Sequence, residues 1–561
     1  MNEHTGGYIS KLTFNDNSTL DIQNNSIVVF VGPNNAGKSQ SLNDIYRLSK
    51  EKLPSVVISD IEITKYKLPI SNLLNSLSKG KDYGSYMSYS LLNNDYNIFS
   101  FSDTNFIKSH YHENFRNLFV ANLDTSTRLK ICDPPNNITR NDPKFHPIHY
   151  SEFDSSYRKW LSENFKKAFG IELIPNSLYG SKVPLCIGSP VQLNDTYKDE
   201  QERLEAYGEI LNNYNQVQNQ GDGIKSFTGI LLYLMLKHYC TYLIDEPESF
   251  LHPPQARIMG QIIGQSLSEY QQAFISTHSE DLIKGLIESA PDRIKIVRIT
   301  RNDNTNKFSI IDSEKIDNIW NDSLLKHSNI MSSLFHNSVV LCESDSDCKL
   351  YSIIENHIKQ TNGSYSETLF IHCGGKHKMP KVISALTSLN INIKIIPDMD
   401  ILNDKNIFKK VVESVGINWE NIENDYRITV ANINSDSRNI HRNDIKSKVN
   451  EILDSSNNQI LSKEEISEIR KLFNTKSKWE DIKKYGTQAL SRGDSTCSFN
   501  KLNSLLQSHG IFIVKYGELE SFIKEVGGHG PEWVNNVLEK YPDLNDDVYD
   551  SIKTFINSLN L

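Results

Sequence analysis

The segment GPNNAGKS at residues 32–39 constrains the fold of this chain more than any other feature of its sequence. It fits the pattern G-x-x-x-x-G-K-[ST], follows the apolar segment Ser26–Val31 and precedes a predicted helix, Asp44–Lys50. Such a loop between a buried strand and a helix presents backbone N–H groups to phosphate, helped by the positive end of the helix dipole. The pattern therefore predicts an α/β sheet with a nucleotide at its edge. A Gly-rich turn without a ligand is the alternative.

Nine residues are predicted to hold the nucleotide. They are Gly32, Asn34, Asn35, Ala36, Gly37, Lys38, Ser39, Gln40 and Asp245. Lys38 is expected to reach the β- and γ-phosphates of ATP, and Ser39 is expected to ligate Mg²⁺. The cofactors predicted for this half of the chain are therefore ATP and Mg²⁺.

Two later strand ends carry residues that suit ATP hydrolysis. Asp245 and Glu246 follow the apolar segment Thr241–Ile244, and His278 follows Ala273–Ser276. Asp245 is expected to hold Mg²⁺ through water, Glu246 to polarise the attacking water, and His278 to contact the γ-phosphate. Taken alone, the acids are equally explained as a helix cap and the histidine as a surface residue. Combined with the phosphate loop, they predict an ATPase.

The second half of the chain repeats the arrangement of apolar strands that end in acids. Glu343 follows Ser338–Cys342, and Asp398 and Asp400 follow Ile393–Pro397. Functional groups gather at the carboxyl ends of strands in an α/β sheet, so the three carboxylates are expected to converge. Crowded carboxylates are neutralised by hard divalent cations, which predicts Mg²⁺ or Mn²⁺ and cleavage of a phosphodiester by two such ions. Acids that cap helices without a metal are the alternative.

Composition excludes several classes of protein. A chain of 561 residues exceeds a single hydrophobic core, and a net charge of −9 argues against coating nucleic acid by bulk charge. The seven cysteines form no C-x-x-C pair, so the sequence indicates neither a zinc ribbon nor a disulfide framework. No apolar run reaches the length of a membrane span and no leader is recognisable, so a cytoplasmic location without membrane contact is expected.

The first half, read from these motifs, resembles the ABC-type ATPases. The segment Gly221–Ser226 stands one helix before the Asp245 strand, where that family has its signature motif, but it differs from Leu-Ser-Gly-Gly-Gln. A Gly-rich helix start is the other interpretation. If the signature holds, the resemblance implies a homodimer that sandwiches ATP between two copies.

The second half resembles the Toprim fold of topoisomerases, primases and certain nucleases. The order of the two halves is similar to the OLD (overcoming lysogenisation defect) family of phage-defence nucleases, which includes the Gabija ATPase-nuclease subunit and retron-associated effectors. The metal ligands that this resemblance implies are Glu343, Asp347, Asp398 and Asp400, with Glu518 or Glu520 completing a second metal position. The family's catalytic lysine has no direct match, and His529 or Lys524 is expected to replace it.

The expected fold class is α/β, with an ABC-type ATPase head of mixed sheet and helical insertion, followed by a Toprim parallel-sheet domain with helical additions. The expected boundaries are 1–325 for the ATPase domain with an insertion at about 53–193 that could serve dimerisation, 336–525 for the Toprim domain with a helical insertion at about 404–484, and 526–561 for a helical tail.

The expected function is an ATP-regulated, metal-dependent DNA endonuclease or nickase in anti-phage defence. An ATP-driven DNA clamp of the RecF or SMC kind with an inactive Toprim domain is the alternative, and a primase or topoisomerase is a third interpretation.

The expected partners are DNA and further copies of the chain, as a dimer or a tetramer. The resemblance also allows a helicase-like companion or a retron reverse transcriptase with its msDNA. A basic cluster, residues 372–381, either pairs with DNA phosphates or is a solvated helix face.

Overall fold

Segments rich in β-branched and aromatic residues form the strands of a first unit, Met1–Asn321, in the computed structural model of the chain; the second unit is Asp322–Leu561. The structure describes residues 5–51, 53–66, 81–82, 86–91, 94–99, 113–191, 193, 197–302, 305–322, 325, 329–434, 442–455, 460–473 and 478–561. Among these residues no helix combines the length and the apolar character that a bilayer crossing requires.

The strands of the first unit are β1 (Gly7–Phe14), β2 (Thr19–Asp21), β3 (Ile27–Val31), β4 (Ile58–Lys65), β5 (Lys81–Asp82), β6 (Tyr86–Leu91), β7 (Asn94–Phe99), β8 (Val120–Leu123), β9 (Glu172–Pro175), β10 (Leu185–Gly188), β11 (Asn215–Gln216), β12 (Thr241–Asp245), β13 (Gln272–Ser276), β14 (Ile294–Asn302) and β15 (Thr305–Ile311). Its helices are α1 (Lys38–Leu48), α2 (Glu113–Phe119), α3 (Thr125–Lys130), α4 (Pro147–Phe153), α5 (Ser155–Phe169), α6 (Glu200–Asn212), α7 (Asp222–Met235), α8 (Pro253–Ser266), α9 (Glu280–Ser289) and α10 (Ser313–Trp320).

The main sheet of the first unit has the strand order β15-β14-β3-β13-β12-β8. Five of its strands are parallel and β15 runs antiparallel to β14, so the predicted mixed α/β architecture is confirmed. All five residues of β3 are buried, as expected of a strand covered on both faces. The carboxyl ends of β3, β12 and β13 therefore meet at one edge of the sheet.

Smaller sheets surround this one, with the orders β2-β1-β4, β5-β6-β7 and β11-β10-β9. Two segments of the predicted insertion at 53–193 are strands of the first unit itself. β4 pairs with β1, and β8 pairs with β12 in the main sheet. The irregular sequence of this region did not predict these two strands, of eight and four residues. Part of the predicted insertion, residues 67–80 and 100–112 among others, lies outside the described residues.

Two predicted helices of the first unit have different bounds in the structure. The helix expected over Asp199–Gln218 ends at Asn212 and gives way to β11, while the helix expected from Lys225 already begins at Asp222. The glycines at 221 and 223 that predicted a break thus lie at the start of α7.

The strands of the second unit are β16 (Ser338–Cys342), β17 (Thr368–His372) and β18 (Ile393–Ile396). Its helices are α11 (Asp345–Thr361), α12 (Met379–Ser388), α13 (Lys405–Ser414), α14 (Glu423–Asn434), α15 (Arg442–Asp454), α16 (Lys463–Phe473), α17 (Lys478–Tyr485), α18 (Asp494–Ser508), α19 (Pro531–Lys540) and α20 (Asp550–Ser558).

The sheet of the second unit is parallel, with β16 between β17 and β18, which confirms the predicted parallel sheet. The further strand predicted over Ile511–Lys515 is wrong as a regular strand. This segment lies beside β18, where Phe512 N–H donates to the Ile395 carbonyl at 2.8 Å, but it forms only an isolated bridge. The reason is that β18 is four residues long and ends at Ile396, and the next residue, Pro397, has no N–H to extend the ladder.

The predicted tail, 526–561, is part of the core of the second unit. Its helices α19 and α20 contact α11, and Trp533 and Tyr549 are fully buried in the same apolar cluster as Val340 of β16. The tail therefore stabilises the strand that precedes Glu343.

A buried carboxylate ties the phosphate-loop helix to the chain that follows it. Asp44 of α1 accepts backbone N–H groups of Val56 at 3.1 Å, Val57 at 2.7 Å and Ile58 at 3.1 Å, and its other oxygen accepts from Gln40 at 2.7 Å. Asp44 is fully buried. It fixes the entry of the chain into β4 against α1.

We expect Asp44→Ala to lower the free energy of unfolding of the first unit by about 2–3 kcal/mol, because it leaves buried N–H donors unpartnered. Urea-induced unfolding followed by circular dichroism measures this. Asp16→Ala is the control, since Asp16 is exposed and its carboxylate accepts from Ser18 within the same turn, and a change within about 0.5 kcal/mol is expected there. Equal effects of the two substitutions would contradict the anchoring role of Asp44.

Candidate nucleotide and metal sites

The phosphate loop, residues 32–39, joins β3 to α1. Gly32 has a φ of 144°, and a Cβ at this position would lie 2.0 Å from the carbonyl oxygen of Ile299 on β14. No side chain fits so close an approach of two backbones. The first glycine of the pattern is therefore required by packing against the sheet.

Lys38 begins α1 and points back over the loop. Its Nζ donates to the carbonyl oxygens of Gly32 at 3.0 Å and Pro33 at 2.7 Å. Burial lowers the pKa of the Lys38 ammonium to about 8, and nearby carboxylates, Glu246 foremost, oppose that shift. A lysine in this position can bind phosphate oxygens by charge-assisted hydrogen bonds.

A cavity of about 730 Å³ opens beside the loop, a volume typical of small-ligand sites. The predicted residues that line it are Asn34, Asn35, Ala36, Gly37, Lys38, Ser39, Gln40, Glu246 and His278. Asn306 of β15 also lines it and donates from Nδ2 to the Ala36 carbonyl at 2.7 Å, a brace that no sequence pattern predicts.

The acid at the end of β12 is held by the neighbouring strand. Asp245 lies opposite Ser276 in the parallel pairing of β12 and β13, and the Ser276 hydroxyl donates to its Oδ1. Asp245 is also close enough to Lys38 to influence the pKa of that lysine. Asp245 is therefore near Lys38 but is not among the residues that line the cavity.

Glu246 and His278 lie close together just after the carboxyl ends of β12 and β13. His278 Nε2 lies 3.7 Å from Glu246 Oε1. Burial lowers the pKa of the His278 imidazole, Lys38 lowers it further, and Glu246 opposes the shift. Glu246 has a φ of 46°, a left-handed conformation that is unfavourable for a residue with a side chain and is held by surrounding contacts.

The sequence motifs did not predict Arg128, which binds the backbone of the turn that follows β12. The Arg128 side chain is fully buried and donates to the backbone carbonyls of Leu123, Asp245 and Glu246. Arg128 lies within the predicted insertion, on α3, and more than 100 residues separate it from the turn that it binds. Only the three-dimensional contact identifies it.

The segment Gly221–Ser226, the predicted signature, begins α7 and does not line the nucleotide cavity among the described residues. Its Lys225 forms an ion pair with Asp222 at 2.9 Å within the same turn of helix. A role that depends on a second copy of the chain stays a prediction.

Three acids converge in the second unit, as their strand-end positions predict. Glu343 follows β16, and Asp398 and Asp400 follow β18; one carboxylate oxygen from each lies within 4.8 Å of the others. Burial, reinforced by the neighbouring acids, raises the pKa of Asp398 well above its usual range, and burial also raises that of Glu343. Such crowding is unfavourable unless a cation compensates it.

The free oxygens of this cluster fit a divalent cation. Glu343 Oε2 and Asp400 Oδ1 are buried and have no hydrogen-bond partner among the described residues. Oxygen-only ligands in this number suit Mg²⁺ or Mn²⁺ better than a soft metal. We name these three acids, Glu343, Asp398 and Asp400, the acidic cluster.

Asp347 lies beside the acidic cluster at the start of α11. Its Oδ2 accepts from the backbone N–H of Ser344 at 2.8 Å, which completes a capping box with the Ser344 hydroxyl. Burial raises the pKa of Asp347 to about 6, with Glu343 and Glu520 adding to the shift. Asp347 therefore serves the helix cap through one oxygen, and it is not one of the three acids whose oxygens lie within 4.8 Å of one another.

The two late acids, Glu518 and Glu520, are brought to the acidic cluster by a backbone bond from Met399 N–H to the Gly517 carbonyl at 2.8 Å. Glu520 Oε1 accepts from the Gly530 backbone N–H at 2.7 Å and lies 2.6 Å from His529 Nδ1. Burial raises the pKa of Glu518, and the nearby Glu520 raises it further.

Two lysines lie on the acidic cluster, and neither is a lysine that the sequence singled out for catalysis. Asp400 Oδ2 lies 2.9 Å from Lys376 Nζ and 3.2 Å from Lys483 Nζ, and Lys483 is also 3.7 Å from Glu518. The structure instead places the Lys524 ammonium 4.8 Å above the ring of Tyr485.

His529, the other predicted replacement, contacts Glu520 but leaves 82% of its side chain exposed. Lys483 was missed because it belongs to α17, within a stretch that the sequence marked only as polar helix. No motif surrounds Lys483, so its position depends on how α17 packs.

The basic cluster at 372–381 divides in the structure. Lys376 binds Asp400 and is largely buried, whereas His372, His377, Lys378 and Lys381 are exposed, and Lys381 also pairs with Asp322. These four exposed residues keep the solvated character that phosphate pairing would need.

Two known domain families match the sequence. Residues 133–284 match a family described as an AAA domain, with AbiEii toxin and Type IV TA system named in its description. Residues 334–400 match the TOPRIM domain of the overcoming lysogenization defect protein-like family. The second match ends at Asp400 and contains the whole acidic cluster.

Individual proteins also resemble the chain. The Old nuclease of Escherichia phage P2 is 25% identical over 168 residues, which span 29% of this chain and 28% of that protein. A crystal structure of the SmcHead bound to the C-winged helix domain of ScpA aligns with a TM-score of 0.33 at 14% identity, over 55% of this chain and 99% of that one.

The SMC head domain from Thermotoga maritima aligns with a TM-score of 0.28 at 13% identity, over 54% of this chain and 99% of that one. The family matches lead to one conclusion. One chain thus carries a match to an AAA domain family at residues 133–284 and, after it, a match to a TOPRIM domain family of the overcoming lysogenization defect type at residues 334–400.

Proposed function

We propose that this protein is an ATP-regulated DNA endonuclease or nickase that depends on a divalent metal and acts in defence against phage. The observation that carries the proposal is the acidic cluster, in which three carboxylates lie within 4.8 Å and two buried oxygens have no partner among the described residues. The similarity to the Old nuclease of a phage supports the nuclease part.

The acidic cluster suits hydrolysis of a phosphodiester. Mg²⁺ or Mn²⁺ bound there would activate water and stabilise the leaving oxygen. Glu343, Asp398 and Asp400 would be its first ligands, and Asp347 with Glu518 or Glu520 would complete a second position. Lys483 limits the negative charge on Asp400 and Glu518 and is exposed enough, at 42% of its side chain, to meet a phosphate of DNA.

The first unit would bind ATP with Mg²⁺ at the cavity beside the phosphate loop. Lys38 binds the phosphates, Ser39 and Asp245 hold the ion, and Glu246 orients the attacking water. Two copies of the chain would close on ATP through the segment Gly221–Ser226, which gives a homodimer or a higher assembly. DNA is the proposed substrate.

Cleavage of plasmid DNA tests the nuclease proposal. We expect the full chain to nick or cut supercoiled plasmid with Mg²⁺ or Mn²⁺, and Glu343→Ala or Asp398→Ala to lower the rate at least about 100-fold, because each removes a ligand from the centre. Gel analysis of nicked and linear products measures the rate. Glu413→Ala is the control, since Glu413 lies on the exposed face of α13 with Lys409 at 3.7 Å.

Unchanged cleavage in both acid variants would remove the nuclease proposal and leave an ATP-driven DNA clamp. The same assay without nucleotide, with ATP and with a non-hydrolysable analogue tests regulation. Equal rates under the three conditions would contradict control by ATP.

The role of Lys483 is tested against a lysine from the same unit. We expect Lys483→Ala to lower metal-dependent cleavage by about 10- to 100-fold, because Asp400 and Glu518 lose a shared cation. Lys524→Ala should stay within about twofold, since Lys524 contacts a tyrosine ring rather than an acid. The reverse pattern would support Lys524 as the replacement for the family's catalytic lysine.

The raised pKa values of the acids predict how metal binding depends on pH. The pKa of Asp347 is about 6 in the folded chain against 3.8 for an ordinary aspartate, so the folded chain binds the proton more tightly and is destabilised as pH rises through 4 to 6 without metal. A cation binds the ionised acids, so the apparent affinity for Mg²⁺ should increase about tenfold or more from pH 5.5 to 7.5.

Calorimetric titration of the EDTA-treated full chain at both pH values measures this affinity. Thermal unfolding should show the matching pattern, with stabilisation by Mg²⁺ larger at pH 7.5. An affinity that is independent of pH would contradict metal binding by these acids.

A further inference from the structure

The turn that follows β12, residues 246–250, carries a second glutamate that the proposed mechanism has not used. Glu248 Oε1 accepts from the Thr277 hydroxyl at 2.7 Å and from the backbone N–H of His278 at 2.7 Å. Glu248 thus joins the turn after β12 to the chain that leaves β13. The two residues it binds are the histidine at the cavity and its immediate neighbour.

This contact fixes the distance between Glu246 and His278. Glu246 is in the left-handed conformation at φ 46°, and its N–H donates to the Ser276 carbonyl at 3.0 Å. Its carboxylate accepts from the Ser249 hydroxyl at 3.2 Å and lies 3.7 Å from the His278 ring. Arg128 binds the carbonyls of Asp245 and Glu246, and Glu248 binds Thr277 and His278. The turn is therefore anchored both to α3 and to the chain that leaves β13.

Stability alone does not explain a carboxylate at this position. Glu248 Oε2 is buried and has no hydrogen-bond partner among the described residues, while Glu246 and Asp245 lie nearby in the same turn. A buried carboxylate with a free oxygen costs folding free energy that a neutral group would avoid. The residue is therefore better explained by what its Oε1 positions than by any gain in stability.

We propose that Glu248 is a positioning residue for ATP hydrolysis, which holds the backbone of His278 so that its imidazole and Glu246 face the terminal phosphate together. The inference rests on the proposed ATPase function of the first unit. Glu248 does not touch the nucleotide cavity itself, because it is not among the residues that line it. Its effect should therefore appear in turnover and leave ATP binding nearly unchanged.

Two substitutions separate positioning from charge. Glu248→Ala removes the acceptor, and we expect kcat for ATP to fall about 10- to 100-fold with KM within about threefold, as a misplacement of catalytic groups would cause. Glu248→Gln keeps an oxygen that can accept both hydrogen bonds and should restore at least about a third of the wild-type kcat. Glu280→Ala is the control, because Glu280 pairs with Lys284 on α9.

A double-mutant cycle shows whether Glu248 acts through His278. If it does, His278→Ala in the Glu248→Ala background should lower kcat by less than about threefold beyond Glu248→Ala alone, because both changes remove one function. Full additivity of the two losses would overturn the inference. So would a Glu248→Ala enzyme within twofold of wild type, or a Glu248→Gln enzyme as slow as Glu248→Ala.

Hydrogen exchange without nucleotide gives a readout that does not depend on hydrolysis. Peptides covering residues 277–279 should exchange faster in Glu248→Ala and at the wild-type rate in Glu248→Gln, because the His278 N–H loses its acceptor only in the first. A wild-type chain that hydrolyses no ATP would remove the proposed ATPase function, and the exchange result would then decide the positioning contact alone. Unchanged exchange in Glu248→Ala would overturn that contact.

Discussion

Repulsion among buried carboxylates is the interaction on which the second unit depends. Glu343, Asp398 and Asp400 come from two strand ends and lie within 4.8 Å, and Lys376 and Lys483 both bind the same oxygen of Asp400. The lysines thus neutralise one side of the acidic cluster and leave the other side, with its unpartnered oxygens, to a cation. The parallel sheet, the capping box at Ser344 and the loop that carries Glu518 and Glu520, residues 515–521, hold these like charges together against their repulsion.

Much of this arrangement could be predicted from the sequence, because parallel sheets bring the carboxyl ends of neighbouring strands to one edge. Apolar runs that end at Asp245, Ser276, Glu343 and Asp398 predicted which strand ends carry the candidate residues, and the pairing of β12 with β13 and of β16 with β18 accounts for their convergence. The strand predicted at 511–515 failed for a local reason, since Pro397 ends the ladder that it would have extended.

The remainder could not be predicted because it depends on contacts between residues far apart in sequence. Arg128 reaches the turn after β12 from α3, and Lys483 reaches Asp400 from a helix of ordinary polar composition. Glu248 follows Glu246 by two residues but belongs to none of the motifs that predict the site, and only its bonds to Thr277 and His278 indicate a role. Side chains that act through packing have no signature in a single sequence.

The close contact between α17 and the loop at residues 515–521 limits how this protein can be shortened or recombined. Gly517 has a φ of 117°, and a Cβ there would lie 1.8 Å from the Lys483 carbonyl, so two backbones touch directly beside Glu518. Thr487 N–H and the Ser521 hydroxyl add hydrogen bonds across the same seam. The helix α17 therefore cannot be removed without exposing the segment 515–521. A chimaera that replaced α17 with the helix of a relative would have to replace residues 515–521 as well.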